Sequence, residues 1–256
     1  MRVCLVQLEV NLAQPLAERV AQACETVRSC AGADLVVLPE LWPQGAWAYR
    51  EWEQTAEPLD GPTVAALAQA AKDAGVMLHG GSVVERAGDD LFNTSVLLGP
   101  HGDLRAIYRK IHRFGFAEGE AAVMTAGDEF LTVTGGELTM GVATCYDLRF
   151  PELFRRLTEA GAQMFVIASS WPERRLEHWR LLTRARAVEN LAYVVAADAC
   201  GEHHGVRQAG HSVVIDPWGE VVAEAGTEPT VIDVEIDPAR VEQVRADFPA
   251  LRDRRL

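Results

Sequence analysis

No apolar run in this chain approaches the roughly 20 residues needed to span a bilayer. The opening Met1-Arg2-Val3-Cys4-Leu5-Val6-Gln7-Leu8 turns polar too soon for a secretory signal, so a cytosolic protein is expected. Cysteine is sparse and irregular. Five residues, at 4, 24, 30, 145 and 200, do not form a disulfide framework. Basic residues are outnumbered, 24 Lys and Arg against 37 Asp and Glu, and the net charge of −13 argues against a nucleic-acid surface. The short cluster Arg252-Asp253-Arg254-Arg255 reads as a solvated or partner-packed terminus. There is no glycine-rich phosphate loop: Gly80-Gly81 and Gly135-Gly136 read as hairpin pairs. Cys200, His203, His204 and His211 lack zinc-site spacing, since three of the four share one glycine-flanked loop, and no metal is expected.

What remains is ample for a core. The chain has 256 residues, 48% of them hydrophobic, and strand and helix patterns alternate almost from end to end. Strands are expected at Val3–Leu8, Asp34–Pro39, Val76–Val84, Leu91–Leu98, Leu138–Thr144, Gln163–Ser169, Ala192–Ala197, His211–Ile215 and Glu220–Ala223. Helices are expected at Pro15–Ala31, Pro62–Ala74, Pro151–Ala160 and Glu173–Asn190, from apolar residues at the helical period. No Pro/Gly/Ser linker separates the two αβ halves. A single α/β domain over residues 1–256, with helices covering sheets, is the expectation.

Three strand ends carry a reactive side chain. Glu40 follows Leu35-Val36-Val37-Leu38-Pro39, Lys110 follows an extended segment in Ile107-Tyr108-Arg109, and Cys145 follows Leu138–Thr144. In α/β sheets functional groups gather just beyond strand ends, so these three are candidates to converge. Cys145 also opens a polar, proline-punctuated turn, where the N–H groups of a helix start would favour a thiolate. A carboxylate beside a thiol serves as general base. An ammonium and the next backbone N–H, that of Tyr146, would hold an oxyanion. Taken singly, each has a plainer reading: a surface carboxylate, a solvated cation, a core thiol.

The segments Leu-Pro-Glu40-Leu-Trp, Tyr-Arg-Lys110-Ile-His, Cys145-Tyr-Asp-Leu-Arg-Phe-Pro-Glu and Ser-Ser-Trp171-Pro stand in one order along the chain. They are followed by Ala-Arg-Ala-Val-Glu-Asn190 and Gly-His-Ser212-Val-Val-Ile-Asp-Pro-Trp-Gly. Together, over residues 3 to about 236, the chain resembles the nitrilase superfamily of carbon–nitrogen hydrolases, in its nitrilase-like amidase or omega-amidase branch. The resemblance implies a four-layer α-β-β-α sandwich, pairing into an eight-layer dimer. Residues ~240–256 would form a tail packed at that interface, with the helices from Pro151 and up to Asn190 as dimer surfaces.

By the same resemblance Glu40 is the general base, Lys110 the oxyanion stabiliser and Cys145 the nucleophile. An auxiliary glutamate holds the lysine; Glu118 and Glu120 are the candidates, and Glu120 fits the Gly-Glu form. Tyr146 and Trp171 would meet substrate, together with the turn N–H groups around Ser170-Trp171-Pro172. The alternative for Trp171 is a core aromatic. Arg149, Glu152, Arg184, Arg186 and Glu189 would form an ion-paired scaffold behind the nucleophile. Asp198 stands where relatives often carry asparagine.

The reaction implied is hydrolysis of a small linear amide through a cysteine thioester, without a cofactor, releasing ammonia or an amine. N-carbamoyl amino acid hydrolysis is the nearer alternative. A nitrilase is less favoured, because Cys145-Tyr146-Asp147 replaces the Cys-Trp-Glu of true nitrilases. An inactive scaffold on the same fold is the non-enzymatic alternative.

Overall fold

Strands that are apolar at every position need cover on both faces, and residues 3–6 and 35–38 receive it: all eight are buried. The computed structural model describes residues 1–255. The chain opens with β1 (Arg2–Gln7), α1 (Leu16–Ser29), β2 (Leu35–Val37), the single turn α2 (Trp52–Thr55) and α3 (Pro62–Ala74). A meander of β3 (Met77–Ala87), β4 (Asp90–Leu98) and β5 (Leu104–Arg109) follows, then the short α4 (Glu120–Val123). The second half runs β6 (Thr132–Gly135), β7 (Leu138–Thr144), α5 (Pro151–Glu159), β8 (Met164–Ser169), α6 (Leu176–Asn190) and β9 (Tyr193–Asp198). It closes with the ribbon β10 (Glu202–His203) and β11 (Val206–Arg207), β12 (Val213–Ile215), β13 (Val221–Glu224), β14 (Thr230–Glu235) and α7 (Ala239–Asp247).

Two six-stranded sheets result, ordered β14-β1-β2-β3-β4-β5 and β13-β12-β9-β8-β7-β6. Within each, three adjacent strands are parallel, β1-β2-β3 in one and β7-β8-β9 in the other, and the outer strands join antiparallel. Alternation along each strand sorts side chains between layers. Val3, Leu5, Leu35 and Val37 meet Met140, Val142, Val166 and Val195 between the sheets. Cys4, Val6, Val36 and Leu38 face α1 and α3, while Ala143, Phe165, Ile167 and Val194 face α5 and α6. The four layers α-β-β-α are as expected. None of the helices among the described residues is long and apolar enough to cross a membrane.

Local chemistry explains the element ends. α3 begins with Pro62 after Gly61 and stops at Gly75, whose left-handed φ of 67° lets its N–H close on Ala71 and Lys72 carbonyls. The helix expected from Glu173 starts as a 3-10 turn, Glu173–Arg175, because Arg175 departs from helical geometry before α6 begins. β14 and α7 add to the sequence reading. β14 alternates apolar and acidic residues on a half-exposed edge beside β1, and α7 buries only Val241 and Val244, so both carry a weak pattern.

Gly80-Gly81 is not a hairpin pair; it lies inside β3, where the register against β4 shifts between His79 and Ser82. Gly81 adopts φ 70°, and a side chain there would collide with the Pro39 carbonyl and the Trp42 ring. The bulge therefore makes room for the turn that carries Glu40. Gly135-Gly136 does fall at a hairpin, between β6 and β7.

His79 is fully buried in the same strand, where desolvation pushes its pKa down to about 4 from 6.5. The folded ring stays neutral while the unfolded one takes up a proton below 6.5. The stabilisation is thus complete above pH 6.5 and is lost as pH falls towards 4. Urea midpoints across this window should drop by an amount equivalent to about 3 kcal/mol for His79 alone. His79→Gln, which keeps an acceptor for the Gly81 N–H, should flatten that slope.

Candidate active site

The three strand ends meet. Glu40 follows β2, Lys110 follows β5 and Cys145 follows β7, and all three line one cleft of about 760 Å³. The two sheets are tied at its floor, where Glu40 N–H donates to the Ser169 carbonyl at 3.1 Å and Ser95 and Thr144 hydroxyls lie 3.1 Å apart.

Lys110 is almost wholly buried, with its Nζ 2.7 Å from Glu40 Oε1 and 3.0 and 2.7 Å from the two oxygens of Glu120. Burial alone would lower its pKa, but the charges of Glu120, Glu40 and Cys145 hold the ammonium protonated well above its ordinary value. Glu120 is the glutamate that meets the lysine. Burial raises its pKa, against the pull of Lys110, and its Oε2 also accepts the Phe114 N–H at 2.6 Å. Glu118 sits at the rim instead, where its carboxylate accepts the Tyr49 hydroxyl.

Asn93, a residue the sequence did not single out, joins the two glutamates. Its Nδ2 donates to Glu40 Oε1 at 2.8 Å and to Glu120 Oε1. The remaining oxygen of Glu40 accepts the Ser170 N–H at 3.0 Å. The available hint was a polar run, Asn93-Thr94-Ser95, inside an otherwise apolar strand: a buried amide must have partners.

Cys145 occupies a left-handed backbone conformation, φ 44°, at the elbow between β7 and a 3-10 turn over Cys145–Arg149. Such strain in a non-glycine residue persists only where its surroundings enforce it. Asp147 supplies that enforcement. Its Oδ2 accepts the Thr144 N–H at 2.9 Å and the Tyr108 hydroxyl at 2.7 Å, and its Oδ1 accepts the His112 N–H at 3.1 Å. One buried carboxylate thus fixes the cysteine turn to the segment that bears Lys110.

The turn that would favour a thiolate does not by itself leave one at rest. Burial, followed by the negative charge of Glu40, pushes the Cys145 thiol well above its ordinary pKa; Lys110 and the neighbouring Ser169 and Ser170 oppose this without reversing it. The thiol is neutral until a base takes its proton.

Other expectations need correction. The Ser170 N–H is committed to Glu40 and the Trp171 N–H to Asp198 Oδ1 at 2.6 Å, so neither points at substrate. Trp171 and Tyr146 both line the cleft, and Trp171 is at the same time a buried core aromatic, packed beside Trp179 with ring centroids 5.7 Å apart. Of the proposed scaffold, Arg186 does pair with Glu189 at 2.7 Å and caps the Leu148 carbonyl. Arg149 instead lies over the Trp171 ring in the cleft wall, and Arg184 donates to the Gly219 carbonyl. Cys200, His203, His204 and His211 go separate ways: His211 meets Glu224 and Arg180, His204 faces Glu51, and His203 packs beside Gly45 with its pKa pushed down to about 4.

Asn93→Ala removes two charge-assisted hydrogen bonds from the carboxylates around Lys110. Steady-state assays with the best amide substrate should show turnover reduced about 10- to 100-fold, with KM little changed.

Residues 2–246 match the model of the carbon–nitrogen hydrolase family. The 2-oxoglutaramate amidase of Paenarthrobacter nicotinovorans is 38% identical over 99% of this chain and 89% of its own length. A carbon–nitrogen hydrolase superfamily protein of Xanthomonas campestris, solved with an arsenic adduct in its active site, superposes with a TM-score of 0.92 at 32% identity, covering 100% of this chain and 97% of that one. A mutant amidase from Nesterenkonia sp., carrying the acetamide moiety of fluoroacetamide on its active-site cysteine, superposes at 0.86 and 26% identity over 97% of this chain and 95% of its own. Sequence motifs, sandwich and relatives agree: the chain belongs to the carbon–nitrogen hydrolase family, enzymes of the nitrilase superfamily.

Proposed function

We propose that this enzyme is an omega-amidase, hydrolysing the terminal amide of a small dicarboxylic acid monoamide through a thioester on Cys145. The observation that carries the reading is a buried Glu40–Lys110–Glu120 network beside a strained cysteine, in a cleft whose wall holds three arginines, Arg50, Arg149 and Arg175. Arg50 lies over Tyr49, Arg149 over Trp171 and Arg175 over Phe114, the last at 5.2 Å, and none of the three forms an ion pair among the described residues. Burial, then the charges of Arg174 and Arg149, lowers the Arg175 pKa, so an anion there would relieve both desolvation and repulsion. A carboxylate at the far end of the substrate supplies it.

Glu40 takes the Cys145 proton as sulfur bonds to the amide carbon. The oxyanion forms opposite Lys110 and the Tyr146 N–H, which opens the 3-10 turn where backbone donors lack helical partners. Collapse breaks the C–N bond, and ammonia leaves with the proton from Glu40. Glu40 then deprotonates a water that attacks the thioester; the acid departs and the proton returns to sulfur. Glu120 and Asn93 keep Lys110 and Glu40 in place throughout.

Ammonia release from 2-oxoglutaramate should exceed that from neutral amides of equal length, and Cys145→Ala should cut it at least about 10⁴-fold. Arg175→Met should raise KM for the anionic amide about tenfold or more and leave neutral amides unaffected. Equal activity on neutral amides would overturn the carboxylate reading; carbon dioxide released with ammonia from N-carbamoyl amino acids would favour that alternative.

A homodimer is also proposed, with the whole chain as one domain. α5 turns Leu153, Phe154 and Leu157 inward. α6, the 216–219 turn and the tail, by contrast, expose Leu181, Val188, Trp218 and Phe248. The Trp218 and Phe248 rings touch at 5.7 Å, and Val188 abuts Gly219, so the apolar patch is continuous. Sedimentation should give twice the 28.0 kDa chain mass, and Val188→Asp should return it to the monomer value.

A further inference from the structure

Two buried oxygens close to the cysteine have no hydrogen-bond partner: Ser169 Oγ and Asp198 Oδ2. Both residues are completely shielded from solvent. They close the neighbouring parallel strands β8 and β9 and stand opposite one another in register, so their side chains leave the sheet on the same side. The row continues into β7, where Thr144 pairs with Ala168 and so sets Cys145 beside Ser169. Ser169 Oγ faces both the Cys145 sulfur and the Asp198 carboxyl, in hydrogen-bond alignment with neither in the resting site. Catalytic contacts of this kind commonly tighten on turnover.

The proton inventory decides which way this row points. Ser169 has one hydrogen to give. An ionised Asp198 would take it and leave the sulfur facing lone pairs. A neutral Asp198 has a hydrogen of its own for Ser169 Oγ, and the serine hydrogen is then directed at Cys145. The surroundings favour the neutral form. Asp198 Oδ1 accepts one backbone N–H, from Trp171, while burial and the like charge of Glu40 raise the pKa well above the carboxylate range.

We propose that Asp198 is a positioning residue held as the neutral acid: its Oδ2–H donates to Ser169 Oγ, and Ser169 O–H donates to the Cys145 sulfur. No proton leaves this row. Its effect is to meet the negative charge on sulfur when Glu40 takes the thiol proton, and again when the thioester sulfur departs. Successive donors in one line strengthen each other. An asparagine at this position would play the same part, with its oxygen on the Trp171 N–H and its amide hydrogens on Ser169.

The inference rests on Cys145 as nucleophile, and it is read through the thiol itself, independently of which amide is the substrate. The rate of iodoacetamide alkylation at Cys145 is followed by peptide mass across pH 5–10 in the wild type, Ser169→Ala, Asp198→Asn and Asp198→Ala, alongside kcat and KM. Ser169→Ala should slow alkylation about tenfold throughout this range, as a thiol made about one unit weaker as an acid does below its midpoint, with kcat reduced and KM nearly constant. Asp198→Asn should restore the alkylation profile towards that of the wild type, whereas Asp198→Ala should resemble Ser169→Ala. Should Asp198→Ala fail to fold, the other two variants decide the matter. A wild-type profile in Ser169→Ala, or an Asp198→Asn profile shifted as far as that of Ser169→Ala, overturns the proposal. Turnover that survives Cys145→Ala would instead defeat the nucleophile assignment beneath it.

Discussion

A lysine ammonium removed from water must be matched by charge and by hydrogen bonds, because an unpaired buried ion costs several kcal/mol. Lys110 meets that requirement with two carboxylates, Glu40 and Glu120, and the requirement then passes outward. Two carboxylates against one ammonium leave surplus negative charge, which Asn93, the Phe114 N–H and the Ser170 N–H take up as donors. Each donor comes from a different element, so the cluster closes only when β4, the loop before α4 and the end of β8 are all in place. The site is in this sense an output of the whole sandwich.

The same cluster explains the state of the cysteine. A thiol beside a positive charge alone would ionise; beside Lys110 and Glu40 together, in a buried position, it does not. In the proposed reaction that keeps the nucleophile protonated, and hence less exposed to adventitious oxidation, until substrate is bound and Glu40 takes the proton. The strained elbow at Cys145 and its tether through Asp147 hold the sulfur where β7 ends, while arginines and aromatic rings line the cleft above it.

The fold accommodates the site through a few backbone concessions. Gly81 bulges β3 away from the Pro39 carbonyl, and Cys145 takes a conformation that few non-glycine residues adopt. Gly81 lies inside β3, just past its parallel pairing with β2, and Cys145 directly follows β7, so paired sheet holds each of them.

Much of this was legible along the chain. The continuous apolar runs at 35–38 and 164–168 announce strands buried on both faces, and the period of α1, α3 and α5 announces the outer layers, because burial patterns repeat locally. Glu40, Lys110 and Cys145 were visible as strand-end residues, and Lys110 is one of only two lysines in the chain. What the sequence by itself determined was therefore the central strands and main helices and the three reactive groups they deliver. Tertiary structure alone decided that Glu120 and not Glu118 meets the lysine, that Asn93 bridges the carboxylates, that Ser170 and Trp171 spend their N–H groups on Glu40 and Asp198, and that Arg149 joins the cleft. These outcomes depend on contacts between residues as far as 130 positions apart, and no local period or spacing encodes which buried donor will reach which acceptor.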